Sequence, residues 1–129
     1  MVEAKNLRIV VVDDQKTMRA LVRHTLLALG CHKVIECNDG VEALAQLIEH
    51  PADLVISDLN MPRLDGLGLL RMVRKQSGIE TTPFIMLTNR GELTTVREAK
   101  ALGVNNYIVK PFNLATMKRK IEAVVGPLE

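Results

Sequence analysis

The sequence predicts an open, doubly wound α/β sandwich: a five-stranded parallel sheet in the order 2-1-3-4-5, with five helices on its two faces. Three observations carry this. Short runs rich in Val and Ile, such as Leu54-Val55-Ile56, lack polar alternation and suit strands covered on both sides. Between them lie stretches with apolar residues three and four apart, so that strand and helix alternate five times. Finally, 129 residues at 47% hydrophobic content suffice for one core and are too few for two, so residues 1–129 read as a single domain. Right-handed crossovers prune the topologies, and 2-1-3-4-5 is a common order that fits five strands.

Leu7 to Val12 reads as the first strand, stopped by Asp13-Asp14. Met18, Leu21, Val22, Leu26 and Leu29 follow at helical spacing, and Gly30 closes that helix. Lys33 to Cys37 is short and more polar, as an edge strand is. Asn38-Asp39-Gly40 turns into a helix expected to point Val41, Leu44, Ala45 and Ile48 inward and to end before Pro51. Leu54 to Ser57 runs into Asp58, after which Pro62 and Asp65-Gly66 mark a loop. The third helix uses Leu67, Leu70, Met72 and Val73 and ends near Ser77-Gly78.

Pro83 opens a fourth strand, Phe84 to Leu87, ending at Thr88. Gly91 to Leu102 is the weakest helix, because Thr94, Thr95 and Val96 are three β-branched residues in a row. Asn106 to Val109 is the fifth strand and leads into Lys110-Pro111. Asn113 is placed to cap a last helix with Leu114, Met117, Ile121 and Val124 inward, Lys118 and Arg119 outward and Lys120 at the flank. Leu128-Glu129 could be an added tail.

Composition removes several function classes. A net charge of +2 is too small to point to nucleic acid or an anionic membrane. Phe84, Tyr107 and Phe112 are the only aromatics, too few for a base-stacking platform. Cys31 and Cys37 read as reduced thiols, and His24, His32 and His50 lack zinc-site spacing. No apolar run approaches the ~20 residues of a membrane span, and Met1-Val2-Glu3-Ala4-Lys5 has no signal core. The expected location is the cytoplasm.

The predicted order sets strands 1 and 3 side by side. Asp13, Asp14 and Asp58 then meet at the C-terminal rim, with Thr88 and Lys110 on neighbouring strand ends. Three close carboxylates repel one another unless a positive charge sits among them. An all-oxygen set of high charge suits a partly hydrated Mg²⁺ better than zinc. One lysine cannot neutralise three acids, but a metal, Lys110 and a transferred phosphoryl group together nearly balance. Thr88 adds a hydroxyl donor. The pattern points to phosphoryl transfer onto a carboxylate, with Asp58 as nucleophile because the adjacent Asp13 and Asp14 can share the metal.

In this order and spacing, Asp13-Asp14, Asp58-Leu59-Asn60-Met61-Pro62, Thr88, Tyr107 and Val109-Lys110-Pro111-Phe112 resemble the receiver domain of two-component response regulators. The resemblance covers about Leu7 to Val125 and is nearest to the single-domain, CheY-like chemotaxis branch, which has this strand order. It implies a histidine kinase as phosphodonor and Asp58 as acceptor. Mg²⁺ would sit on Asp14, Asp58 and the backbone carbonyl of Asn60, with Asp13 binding through water. Lys110 would pair with the phosphoryl group, and its bond to Pro111 would be cis. Thr88 and Tyr107 would form the switch. The weak helix after Thr88, the last strand and the last helix would make the output face, with Leu93, Val96, Tyr107 and Lys120 on it. A basic flank beside small apolar residues suits an acidic amphipathic peptide. The target implied is the flagellar motor switch, with a phosphatase as a further partner. Asn89 is larger than the family's usual residue, Arg90 stands near the mouth, and Leu93 replaces a lysine; with Asn60, the first two bear on phosphoryl lifetime.

Other readings fit less well. A dehalogenase-type enzyme needs a general-acid Asp two positions after the nucleophile, where this chain has Asn60, so no turnover enzyme is expected. A nucleotide or flavin site needs a phosphate-cradling loop after the first strand, where Asp13-Asp14 would repel it. A DNA-binding regulator would need an output domain, and Lys118-Arg119-Lys120 reads as solvated surface. A phosphorelay intermediate, or a receiver from a larger regulator, remains the alternative to the chemotaxis role.

Overall fold

Each apolar run becomes a parallel strand: β1 (Arg8–Val12), β2 (Lys33–Cys37), β3 (Leu54–Asp58), β4 (Phe84–Thr88) and β5 (Asn106–Val109). The computed structural model describes residues 2–89 and 92–129, without the side chain of Leu93. Among these residues the strands form one sheet in the order β2-β1-β3-β4-β5, as predicted. The α-helices are α1 (Lys16–Ala28), α2 (Gly40–Glu49), α3 (Gly66–Lys75), α4 (Leu93–Ala101) and α5 (Leu114–Val125). No helix among the described residues is long and apolar enough to cross a membrane.

Strand side chains alternate, so the sheet carries a core on each face. Ile9 and Val11 join Val22 and Leu26 of α1 and Met117 and Ile121 of α5. Val10 and Val12 join Ala43 and Leu47 of α2, Leu70 and Val73 of α3 and Ala99 of α4. Fully burying one such aliphatic side chain is worth ~1.5–3 kcal/mol. Cys31 and Cys37 are free, buried thiols, one in each core.

The inward faces of the helices differ from the periodic reading in several places. In α2 the buried positions are Gly40, Ala43 and Leu47, while Ala45 is exposed and Val41 and Ile48 are about half exposed, at 47% and 48%. Gly40 fixes the phase. A Cβ there would stand 2.6 Å from the Leu64 carbonyl oxygen, so α2 meets the β3–α3 loop through a residue with no side chain. The stripe 40-43-44-47 must then face in, although 41-44-45-48 is as apolar. Leu21, Met72 and Leu114 are likewise exposed rather than inward, and Leu69 is buried in the stripe of α3.

Side-chain caps explain where several helices begin. Asp39 accepts from Glu42 N at 2.9 Å, Asp65 from Gly68 N at 2.8 Å and Asn113 from Thr116 N at 2.8 Å. Neither Gln15 before α1 nor Glu92 before α4 caps its own helix in this way. Two features lie outside the sequence expectations. Ala4–Asn6 form a 3₁₀ turn, and Leu128 bridges Val2 in parallel, so the C-terminal residues pack into the fold rather than trailing from it.

Candidate functional site

Strand register builds the rim. Val12 pairs with Ser57, so the next residues, Asp13 and Asp58, come out side by side. Thr88 pairs with Val109, and Lys110 donates its backbone N–H to the Thr88 carbonyl at 2.7 Å. Carboxylate oxygens of Asp13, Asp14 and Asp58 lie within 4.8 Å of one another. Lys110 Nζ donates to Asp58 Oδ1 at 2.6 Å and stands 3.9 Å from Asp13 Oδ2. The Lys110-Pro111 bond is cis, as the family resemblance implied.

Asp13 is held at almost every polar atom. Its N–H donates to the Cys37 carbonyl, its carbonyl accepts from Arg19 Nη1, and Oδ1 accepts from Gln15 N–H at 2.9 Å. Oδ2 is buried and has no hydrogen-bond partner among the described residues. Burial pushes the Asp13 carboxyl above its ordinary pKa; the Gln15 N–H opposes this, and the Asp58 charge adds to it. A buried anionic oxygen without a donor, beside two further acids, fits a hard cation well.

The rim opens into a cavity of about 460 Å³. Asp14, Asp58, Asn60, Asn89 and Lys110 form its polar side, and Met18, Leu21, Pro111 and Phe112 an apolar lip. Thr88 is buried and faces the other way. It lines a narrow void with no room for a water, together with Met86, Val96, Ala99 and Tyr107. Tyr107 is half-buried, with Lys120 Nζ 4.6 Å from its ring centroid. Val96 turns partly into the void rather than standing wholly on the outer face.

The structure therefore brings Asp13, Asp14, Asp58 and Lys110 together, with Asn60 at the mouth and Thr88 and Tyr107 on the void behind. Arg90 lies outside the described residues, as does the side chain of Leu93. Sequence reasoning missed Arg19, Gln15 and the lip residues Met18, Leu21 and Phe112. It also missed Glu92, which accepts from Asn60 Nδ2 at 3.1 Å across 32 positions. An arginine on a helix and an acid before one are ordinary, so spacing carried no signal for them.

Comparison with known proteins agrees with the geometry. Residues 9–122 match the response regulator receiver domain. A probable chemotaxis protein CheY from Rhizobium etli is 40% identical over 126 residues, 98% of each chain. The Helicobacter pylori chemotaxis protein CheY1 is 43% identical over 122 residues, covering 93% of this chain and 98% of that one. The structure of Vibrio cholerae CheY4 superposes with a TM-score of 0.84 at 37% identity, over 92% of this chain and 98% of that one. The receiver domain of a sensor histidine kinase from Pseudomonas aeruginosa, which holds a magnesium ion in its active-site cleft, gives 0.84 at 27% identity over 93% and 98%. On matched length, strand order and the convergence of acids and lysine, this chain belongs to the response regulator receiver family.

Proposed function

We propose that residues 1–129 act as a single-domain, Mg²⁺-dependent response regulator that takes a phosphoryl group from a histidine kinase onto Asp58. The observation that carries this is the contact of Lys110 Nζ with Asp58 Oδ1 at 2.6 Å beside Asp13 Oδ2, a buried oxygen with no hydrogen-bond donor among the described residues. It places one acid against a lysine cation while leaving the neighbouring acids open to a metal.

Asp14, Asp58 and the Asn60 carbonyl would hold the ion, with Asp13 acting largely through water; the bound ion supplies charge neutralisation for the incoming phosphoryl oxygens. The donor histidine would approach over the lip of Met18, Leu21, Pro111 and Phe112. An Asp58 oxygen attacks phosphorus in line, the P–N bond breaks, and the imidazole leaves with the bonding pair. Lys110 then transfers its hydrogen bond from the carboxylate to a phosphoryl oxygen. Thr88 turns its hydroxyl toward the same group, and Tyr107 moves into the space vacated behind it.

The output surface is α4, β5 and α5, with Leu93, Val96, Tyr107 and Lys120 as contacts. Relatives named for chemotaxis favour the flagellar motor switch as target over a phosphorelay role. The protein serves as a phospho-acceptor, not a turnover enzyme, and works in the cytoplasm. Incubation with acetyl phosphate and Mg²⁺ should label the parent and not Asp58→Asn. An acyl-phosphate mimic should tighten binding to a motor-switch N-terminal peptide; binding that ignores the mimic would remove the chemotaxis assignment.

A further inference from the structure

We propose that Arg19 is a positioning residue that presets the cation affinity of the acid rim by holding the Asp13 main chain. This rests on reading the rim as a Mg²⁺ site. Arg19 lies in the first turn of α1 and reaches back to donate Nη1 to the Asp13 carbonyl at 2.7 Å. Its side chain is only 12% exposed. On the other side, its Nε lies 3.4 Å from Glu36 Oε1, close enough for charge although not aligned as a hydrogen bond. Arg23 Nη1 meets the second oxygen of Glu36 at 3.1 Å. A chain of alternating charge therefore runs from the edge strand β2 to the turn that carries Asp13 and Asp14.

That turn has little else to fix it from the helix side. Gln15 gives α1 no side-chain cap, and no acid stands in its first turn. With the Asp13 N–H on Cys37 and its carbonyl on Arg19, the peptide on either side of the α-carbon is pinned. The side chain is pinned as well through Oδ1, so Oδ2 is left aimed as a ligand or as an acceptor for metal-bound water. Without Arg19, the Asp13-Asp14 peptide can rotate, and a cation has to order it on binding. The guanidinium also offsets some of the repulsion that the acids exert on one another. Groups that orient metal ligands are typically worth 10–100-fold in metal affinity.

The test is Mg²⁺ titration calorimetry on the full chain and on R19A, R19K and E36Q, with acetyl phosphate labelling measured against Mg²⁺ concentration. R19A should weaken Mg²⁺ binding by about tenfold, at the low end of that range. R19K should recover part of the loss, and E36Q, which leaves Arg19 without its anchor, should lose a few-fold. The labelling rate at saturating Mg²⁺ should stay near that of the parent, since the loss is in metal affinity; a merely disordered rim would lose both. Parent-like Mg²⁺ affinity in R19K and E36Q together with either parent-like affinity or unfolding of R19A overturns the proposal. So does labelling that saturating Mg²⁺ fails to restore in a folded R19A. A parent that binds no Mg²⁺ overturns the metal-site reading, and this proposal with it.

Discussion

Two polar clusters sit at opposite ends of the sheet and are built on opposite principles. At the N-terminal end, Arg74 of α3 donates to the carbonyls of Thr82 at 2.7 Å and Gly103 at 2.9 Å and to Asn105 Oδ1 at 3.0 Å. Asn105 Oδ1 also accepts the Phe84 N–H, so one guanidinium ties α3 to the starts of β4 and β5. At the C-terminal end, Asp13, Asp14 and Asp58 are pressed together around one lysine, and a buried oxygen is left without a donor. The first cluster satisfies its groups and stabilises the fold. The second withholds satisfaction and so has affinity to spend on a ligand.

If that contrast holds, substitutions at the two ends should have different consequences. Arg74→Ala should cost the most, about 1.5–3 kcal/mol in denaturant unfolding, because it removes several hydrogen bonds from a charged donor, one of them to the carbonyl of the buried Thr82. Its Mg²⁺ affinity should match that of the parent. Asp39→Ala should lose about 1 kcal/mol, the usual worth of a helix N-cap. Arg63 and the Glu42 N–H hold the Asp39 carboxyl below its ordinary 3.8. Its stabilisation should therefore be complete above that value and fade as pH falls through the depressed one.

Asp13→Asn should shift the melting temperature the other way, upward, by less than the Arg74 effect. The Asp13 carboxyl is raised by burial, so the folded state holds its proton more tightly than the unfolded chain. Parent stability then falls as pH rises from the ordinary value through the raised one, and the amide removes that loss while weakening Mg²⁺ binding. The smallest effect concerns the thiols. Burial pushes Cys37 up to about 11, and Cys31 is raised for the same reason, so a thiol reagent should find neither until the chain unfolds.

The fold and the residues of the acid rim were legible for different reasons. Unbroken apolar runs and their alternation with helices named the sheet, and strand order alone then placed Asp13, Asp58 and Lys110 on one rim. The phase of α2 was not legible, because Val41-Leu44-Ala45-Ile48 and Gly40-Ala43-Leu44-Leu47 are equally periodic; the choice lies in a contact between Gly40 and Leu64. Arg19 and Glu92 were hidden for a related reason. Their roles come from side chains that cross to another element, and local spacing does not encode that. Leu21 shares its helical spacing with the buried Val22 and Leu26 and yet lies half exposed, at 49%, on the cavity lip, where an apolar residue serves a partner as readily as an interior.

The most direct measurement is the Mg²⁺ dependence of phosphoryl incorporation from acetyl phosphate, followed by intact mass and by peptide mapping. Labelling should rise to saturation with Mg²⁺, stop in excess chelator, and fall on the peptide containing Asp58. Equal labelling in chelator, or a phosphoryl group mapped to any other residue, would contradict the account of this rim.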